Sequence, residues 1–177
     1  ILGPYEDIGR LPWWLERLAR GGRVPTPGPP DRPLQYVDAR DLAGFLLDNA
    51  EQAAGGTFNT VSRPGHTTIG ELLETAAATV GGGAELVWVS PATVDEAGVS
   101  GWTELPIWVP PTGELAALHD GDVSAAYARG LRCRPVADTI RDTWDWLRRD
   151  GMPPARTDRP GVGLSPEQEQ RLLSAAG

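Results

Sequence analysis

The chain has 177 residues, and its 24 acidic and 16 basic side chains give a formal net charge of −8. It contains no lysine, which excludes a Schiff-base lysine, a phosphate-loop lysine and a catalytic Tyr/Lys pair. One cysteine, Cys133, and two widely separated histidines offer no metal-ligand spacing, and the acidic balance argues against a nucleic-acid partner.

The chain starts with Ile1-Leu2 followed by Gly3-Pro4, a pattern typical of the end of a β-strand. Because the first residue is not Met and the strand has no beginning, we expect a piece of a longer protein. There is no run of 18 apolar residues and no basic, apolar leader at the start. The sequence therefore predicts a soluble, cytoplasmic chain.

The next segments predict two helices joined by a proline-rich loop. Apolar residues at helical spacing predict a first helix over 11–20, and the prolines of 25–33 predict a loop. A short strand, Leu34 to Val37, then leads into Asp38, which we expect to cap a second helix that extends to about residue 52 with Asp41 in its first turn. The expected buried stripe of this helix consists of Leu42, Phe45, Leu46 and Ala50.

The middle of the chain predicts a strand, a helix and a second strand. Residues 57–62 favour β-structure, and a helix follows over 69–80, with Thr68 and Glu71 at the spacing of a capping box. Glycines 81–83 end that helix. Residues 86–89 predict a short buried strand, and Ser90-Pro91 predicts the start of a brief helix.

The last third has less regular periodicity. Residues 99–121 are irregular, Asp122 is expected to cap a helix to about Arg129, and a strong apolar stripe predicts a helix over 136–147 that is closed at Gly151. A loop over 152–164 precedes a C-terminal helix that starts with the capping sequence at Ser165. We expect residues 1–151 to form one lobe and 152–177 to be a loop and helix packed on it.

Tryptophan and arginine are the residue types that suggest a binding site. Trp13, Trp102 and Trp108 lie outside the main helical stripes and can each line a pocket or pack in the core. Arginines 10, 32 and 40 can each grip a carboxylate or phosphate, or lie solvated at the surface. His66 and His119 have no serine nucleophile or second catalytic partner in the pattern, so no catalytic set is predicted.

Five short motifs occur in an order that resembles a known superfamily. They are Ile1-Leu-Gly-Pro-Tyr5, Arg32-Pro-Leu-Gln-Tyr-Val-Asp-Ala-Arg-Asp-Leu-Ala43, Gly56-Thr-Phe-Asn59, Thr67-Thr-Ile-Gly-Glu-Leu72, and Asp122-Val-Ser-Ala-Ala126 followed by Asp142-Thr-Trp-Asp-Trp146. Together they resemble the C-terminal half of extended and atypical short-chain dehydrogenase/reductases, the NAD-dependent epimerase/dehydratase group. The Trp-rich middle and the added C-terminal helix look more like a reductase of the isoflavone- or flavonol-reductase type.

The resemblance implies an α/β fold, namely the last strands of a Rossmann-type sheet together with a small substrate-binding lobe. The Gly-rich dinucleotide fingerprint and the Tyr/Lys pair of the family would precede Ile1, so the resemblance implies that this chain alone binds no NAD or NADP and is inactive alone. The parent protein is then expected to transfer a hydride to or from a small carbonyl or hydroxyl substrate. Tyr5, Arg10, Trp13 and Trp102 are the expected substrate contacts.

Two departures weaken any inference about a nucleotide-sugar substrate. The family pattern has Ser-Lys or Ser-Arg where this chain has Ser124-Ala125, and Leu-Gly-Trp where it has Leu131-Arg132-Cys133. Two other classes remain open: a free-standing ligand-binding or regulatory module, and an RNA-binding relative, which the charge of −8 opposes. We also expect a homodimer, because the strand stub at residues 1–2 and the strand at 57–62 would lack neighbours in a sheet.

Overall fold

The computed structural model describes residues 1–152, 154, 157–159 and 161–176. In chain order, the elements are α1 (Arg10–Ala19), β1 (Gly22–Pro27), β2 (Pro33–Leu34), α2 (Ala39–Glu51), β3 (Thr67–Thr68), α3 (Ile69–Val80), β4 (Ala84–Val89), α4 (Pro91–Glu96), β5 (Gly101–Trp102), β6 (Leu105–Pro106), α5 (Ser124–Ala128), α6 (Val136–Asp150) and α7 (Pro166–Ala175). The expected α/β class is confirmed.

The longest strand pair is parallel. β1 and β4 pair in register from Gly22 opposite Ala84 to Pro27 opposite Val89. The chain between them contains α2 and α3, a crossover of the kind that parallel strands require. Two short pairs complete the described β-structure: β2 runs antiparallel to β3, and β5 runs parallel to β6.

The strand β1 replaces the loop that was expected over residues 25–33. The Gly28 amide donates to the Val89 carbonyl of β4 (2.8 Å). Because successive amides of a strand point to opposite sides, the nitrogens of Pro27 and Pro25, one and three residues earlier, face away from β4. A proline is tolerated in a strand where its nitrogen has no ladder bond to make. Because the two prolines are two residues apart, both of their nitrogens point away from β4, and they do not interrupt the strand pairing.

The expected strand over 57–62 is wrong. Among the described residues, its one backbone–backbone bond to another segment is at its last residue, where the Ser62 amide donates to the Tyr36 carbonyl (2.7 Å). Side-chain bonds add to it: the Tyr36 amide donates to the Ser62 hydroxyl (3.2 Å), and the Asn59 side chain donates to the Asp122 carbonyl (2.8 Å). β-favouring residues form a strand only where a neighbouring backbone supplies a ladder. The strand expected over 34–37 is likewise reduced to β2, and one parallel bridge joins Asp38 to Leu2.

The main core lies between α1, α3 and α6. The helices contribute these buried side chains: Leu11, Trp14, Leu15, Leu18, Ile69, Leu72, Leu73, Ala76, Val136, Ile140, Trp146 and Leu147. α7 packs against β1 and α4 and adds the buried Leu172. A smaller cluster of Phe45, Ala126 and Leu131 lies under α2, whose Leu46 and Ala50 are exposed, contrary to the stripe expected for that helix.

Four expected capping residues lie where the sequence places them, but Asp122 does not: the N-cap of α5 is Val123, and the Asp122 carboxylate accepts from the Ser124 amide (2.9 Å). Asp38 accepts from the Arg40 amide at the start of α2, Thr68 accepts from the Glu71 amide at the start of α3, and Ser90 accepts from the Thr93 amide at the start of α4. Ser165 and Gln168 form a reciprocal capping box at α7. These bonds satisfy amides that the first turn of a helix leaves without partners.

Candidate functional site

The segment before α1 forms one wall of the candidate site. Its Leu2 amide donates to the Val37 carbonyl (2.9 Å), and the Leu2 carbonyl accepts from the Ala39 amide (2.9 Å). Glu6 then turns back onto the helix start, where its two carboxylate oxygens accept from the amides of Arg10 (2.9 Å) and Leu11 (3.2 Å). The segment is thus fixed by backbone bonds on one side and by a carboxylate cap on the other.

Arg10 and Trp102, both predicted as substrate contacts, lie directly against each other. The guanidinium carbon of Arg10 lies 4.5 Å from the centre of the Trp102 ring, within the range of a cation–π contact. The Nε atom of Arg10 is buried and has no hydrogen-bond partner among the described residues. Burial lowers the pKa of this guanidinium, and the nearby Glu6 carboxylate partly offsets that effect.

A cavity of about 160 Å³ lies beside this pair. It is lined by Ile1, Leu2, Arg10, Gln35, Tyr36, Val61, Trp102, Ile107, Leu118 and His119. Most of these side chains are apolar or aromatic, as is usual for a small-molecule site. We call this space the Arg10–Trp102 cavity.

Two of the other polar side chains of the cavity, His119 and Gln35, are held by the protein itself, whereas the Tyr36 hydroxyl is buried without a hydrogen-bond partner among the described residues. The His119 Nδ1 accepts from the Gln35 amide (3.1 Å), so its Nε2 carries the proton that faces the Ile107 carbonyl (3.2 Å). Burial lowers the pKa of His119, which keeps the ring neutral near pH 7. The side-chain Nε2 of Gln35 donates to the carbonyls of Ser62 and Gly121 (both 2.9 Å).

Two lining residues have backbone conformations that are rarely found outside glycine. Trp102 has φ of 66° and Ile107 has φ of 73°, and for a β-branched residue such a value is a genuine outlier. The turn is held by the Trp102 amide, which donates to the Trp108 carbonyl (2.7 Å). Strain of this kind concentrates at functional sites, where surrounding contacts force the geometry.

Tyr5 lies at a neighbouring cavity of about 270 Å³. This second cavity shares Ile1, Leu2 and Arg10 with the first, and Tyr5 lies on its rim with 71% of its surface exposed. The Tyr5 ring is 5.2 Å from that of Trp146. Of the four predicted contacts, Tyr5, Arg10 and Trp102 therefore surround two adjoining cavities.

Trp13 is not among the residues that line these two cavities. Its ring packs edge-on against Trp14 at 4.7 Å, and Gly163 lies directly on its indole. Trp108, which was weighed as a pocket residue, is 1% exposed and belongs to the main core. Both indoles thus have packing partners in the structure.

The arginines weighed as anion ligands are engaged by the protein. Arg32 donates to the carbonyls of Val109, Pro110 and Ala116 at 3.0–3.2 Å, and so ties β2 to the irregular segment. Arg40 donates to the buried Asp38 and to Asp142. Both guanidinium groups therefore have acceptors within the protein.

Asp38 and Asp41 have the structural roles that were expected from the sequence: Asp38 caps α2, and Asp41 lies in its first turn. Asp41 accepts from the guanidinium of Arg134 (2.7 Å), and Asp38 accepts from the Thr139 hydroxyl (2.8 Å). Burial by itself raises the pKa of Asp38, but its hydrogen bonds from Arg40 and Thr139 outweigh burial and lower it. The carboxylate is therefore ionised and acts as a link between α2 and α6.

The sequence did not indicate Tyr36, Ile107, Leu118 or the role of His119 in the cavity. Tyr36 lies in one of the short motifs, and its ring packs 5.8 Å from that of His66, while burial raises the pKa of its hydroxyl. Ile107, Leu118 and His119 fall in the irregular segment 99–121. The concentration of tryptophan and proline there was the available signal.

The glycine run 81–83 is not placed as a dinucleotide cradle would be. The glycine run 81–83 ends α3, with Gly81 in the left-handed conformation, and Gly82 packs against the carbonyls of Leu18 and Ala19 at the end of α1. A phosphate cradle needs such glycines between a strand and the start of a helix. Among the described residues, no group of His, Cys, Asp or Glu side chains is arranged to hold a metal ion.

Within the part of the chain that the structure describes, no helix has the length and apolar character needed to cross a bilayer.

Comparisons with known proteins find a similar solved structure. No protein-family model and no curated protein matches the chain. RMD from Pseudomonas aeruginosa, solved in complex with NADPH, shares 22% sequence identity with it, with a TM-score of 0.48 over 84% of this chain and 45% of the RMD chain. This chain thus spans less than half the length of that structure.

Proposed function

We propose that this chain is the substrate-binding part of an NAD(P)-dependent oxidoreductase or epimerase, and that the Arg10–Trp102 cavity holds a small carbonyl or hydroxyl substrate. The observation that carries the proposal is the cavity itself, which combines an indole face, an unpartnered guanidinium nitrogen and strained backbone at two lining residues. The order of the five sequence motifs supports the same reading. The first of those motifs, residues 1–5, contributes to both adjoining cavities.

In this proposal, the dinucleotide is held by a segment outside these 177 residues. That segment supplies the cofactor, which carries the hydride. The residues of this chain bind and orient the substrate and keep water from it. No protein acid or base is assigned here, because both nitrogens of His119 are held by backbone groups.

The test is turnover by the protein encoded by the complete reading frame that contains this chain. Oxidation of NADH and NADPH is followed with a panel of small aromatic and aliphatic aldehydes, ketones and oxo acids. We expect turnover of an aromatic member, and we expect Trp102→Ala to raise its KM about tenfold, since burial of a ligand ring on an indole is worth 1–2 kcal/mol.

Trp144→Ala is the matched control. Trp144 is also half-buried, but it packs on the core from α6 and does not line the cavity. An unchanged KM in Trp102→Ala would remove the cavity from the substrate site. Binding of panel members without turnover by either nucleotide would favour the alternative, a free-standing ligand-binding module of the same ancestry.

A further inference from the structure

The hydrogen-bonding state of Arg10 differs from that of the other well-packed arginines. Arg17, Arg32, Arg40 and Arg134 all donate to carboxylates or carbonyls of the protein. The Arg10 guanidinium lies over the Trp102 ring, while its Nε is buried without a hydrogen-bond partner among the described residues. A buried charged donor left without an acceptor is costly, so such a group calls for a partner that the protein does not supply.

The nearest carboxylate does not fill that role. Both oxygens of Glu6 accept backbone amides at the start of α1, and burial raises the pKa of this acid. Asp7 acts on Arg10 through its charge and has an interaction of its own. Among the described residues no acceptor bonds to the Arg10 Nε, and a bound molecule in the adjoining cavity is the source of an acceptor that we consider for this guanidinium.

The rest of the Arg10–Trp102 cavity defines what that molecule is like. His119 is neutral with both nitrogens engaged, and Gln35 is held by backbone carbonyls. The remaining walls are aromatic or aliphatic, and the Tyr36 hydroxyl is a further polar group without a hydrogen-bond partner among the described residues. A single cationic side chain in a largely apolar space matches a single negative group on an apolar body. A second anionic group would find no further cationic side chain among the described lining residues.

The geometry of the guanidinium favours a carboxylate. The guanidinium carbon of Arg10 lies over the Trp102 ring, and the N–H groups of a guanidinium form a fork in its own plane. That fork matches the two oxygens of a carboxylate bidentately. A phosphate dianion usually collects several cations or backbone amides, and a cavity of about 160 Å³ with one arginine offers neither room nor donors for that.

We propose that the Arg10–Trp102 cavity binds a small monocarboxylate, with the carboxylate on Arg10 and an aromatic or branched aliphatic body against Trp102, Ile107 and Leu118. This inference rests on the proposed function, which places the substrate in the same cavity. It narrows the substrate class to oxo or hydroxy acids with an apolar side chain.

The test compares benzoate with benzamide, its uncharged isostere, by calorimetric titration of the protein. Wild type should bind benzoate at least tenfold more tightly than benzamide. Arg10→Gln should lose at least tenfold in benzoate affinity and leave benzamide affinity unchanged, while Arg10→Lys should keep part of the preference as a point charge without the planar fork. Circular dichroism and the Tm show whether each variant is folded.

Arg20→Gln is the matched control, because Arg20 is an exposed arginine at the other end of the same helix. Equal affinity of wild type for benzoate and benzamide, unchanged benzoate binding by Arg10→Gln, or no binding of either probe would overturn the carboxylate assignment. Tighter binding of phenyl phosphate than of benzoate would also overturn it. If benzoate and benzamide bind equally well, the carboxylate assignment fails but the cavity can still hold a substrate. The proposed function is tested separately, by the turnover assay.

Discussion

Asp38 is a buried carboxylate that accepts four hydrogen bonds. Its donors are the Arg40 amide, two nitrogens of the Arg40 guanidinium and the Thr139 hydroxyl, at 2.7–2.9 Å, and its side chain is 1% exposed. Removal of one partner from such a buried pair is costly because the other is left uncompensated. We expect Asp38→Asn to lower the free energy of unfolding by about 3 kcal/mol at pH 7, measured by urea denaturation.

The effect of Asp38→Asn should depend on pH. The pKa of Asp38 is lowered in the folded protein, so its stabilisation is fully present above the unfolded-state pKa near 4 and is lost as the pH falls through the folded-state value. The difference between wild type and variant should therefore shrink below about pH 4. Asp145→Asn, at an exposed pair with Arg148, is the control and should cost less than about 1 kcal/mol at either pH. A pH-independent difference would contradict the argument.

Two helical glycines have opposite surroundings. A Cβ at Gly70 in α3 would lie 2.6 Å from the Pro30 carbonyl oxygen, whereas a Cβ at Gly44 in α2 would have no atom within 4 Å. We expect Gly70→Ala to lower the free energy of unfolding by roughly 1–3 kcal/mol through overpacking, although alanine is the better helix former. Gly44→Ala should raise it by about 0.5–1 kcal/mol. Thermal unfolding of the two variants checks both signs, and a stabilised Gly70→Ala would refute the close approach.

Several of these residue roles could be predicted from the sequence because capping is a local property. Asp38, Thr68 and Ser165 each precede a helical stripe, and each accepts the expected amide. Arg32 and Arg40 could not be assigned, since their acceptors lie on segments distant in sequence. A guanidinium's partners depend on the tertiary fold.

The C-terminal helix α7 is joined to α1 by a well-buried ion pair. Arg17 donates through Nε to both carboxylate oxygens of Glu169 (2.7 and 2.9 Å), and its other nitrogens reach the carbonyls of Gly21 and Arg23. We expect Glu169→Gln to lower the free energy of unfolding by about 2 kcal/mol, because it removes the charge that balances a buried guanidinium.

The loss should be greatest in α7 itself. Hydrogen exchange should become faster at the amides of α7 before those of α3 change, since elements of low local stability open first. Arg171→Gln, an exposed arginine on the same helix, should stay within about 0.5 kcal/mol of wild type. Uniformly faster exchange throughout the core would mean that α7 does not open separately.

Helices were predicted more accurately than strands. The first helix was expected over 11–20 and the third over 69–80, and the structure has Arg10–Ala19 and Ile69–Val80. Their apolar spacing is intrinsic to the segment. β1 was missed because the orientation of its prolines depends on which side β4 pairs, and residues 57–62 were assigned to a strand for which the described residues provide no ladder.

The assembled molecule brings together two predicted contacts that lie far apart in sequence. Arg10 at the start of α1 and Trp102 in β5 meet because β5 and β6 fold back against the first helix, where the Trp14 indole donates to the Pro106 carbonyl (2.8 Å). Periodicity does not reveal such a meeting. The contact between Arg10 and Trp102 depends on how an irregular segment packs against α1. The motif resemblance could therefore indicate which segments contact the substrate, but it could not reveal the cavity between them.

The chain by itself should not bind a dinucleotide. β1 and β4 form a parallel pair, but the turn that follows β4 is Ser90-Pro91 at the start of α4 and contains no glycine. The glycine run instead ends α3 and does not follow a strand. Pyrophosphate is normally held by glycine-rich backbone at a helix N-terminus directly after a strand. We expect calorimetric titration of the folded 177-residue chain with NADH or NADPH to show no binding at micromolar concentrations, while the protein from the complete reading frame binds one of them.

The carboxylate probe of the Arg10–Trp102 cavity serves as the positive control for a folded chain. Micromolar affinity of the isolated chain for either nucleotide would show that these residues form a cradle of a different kind, and the division of labour proposed for the parent protein would then be wrong.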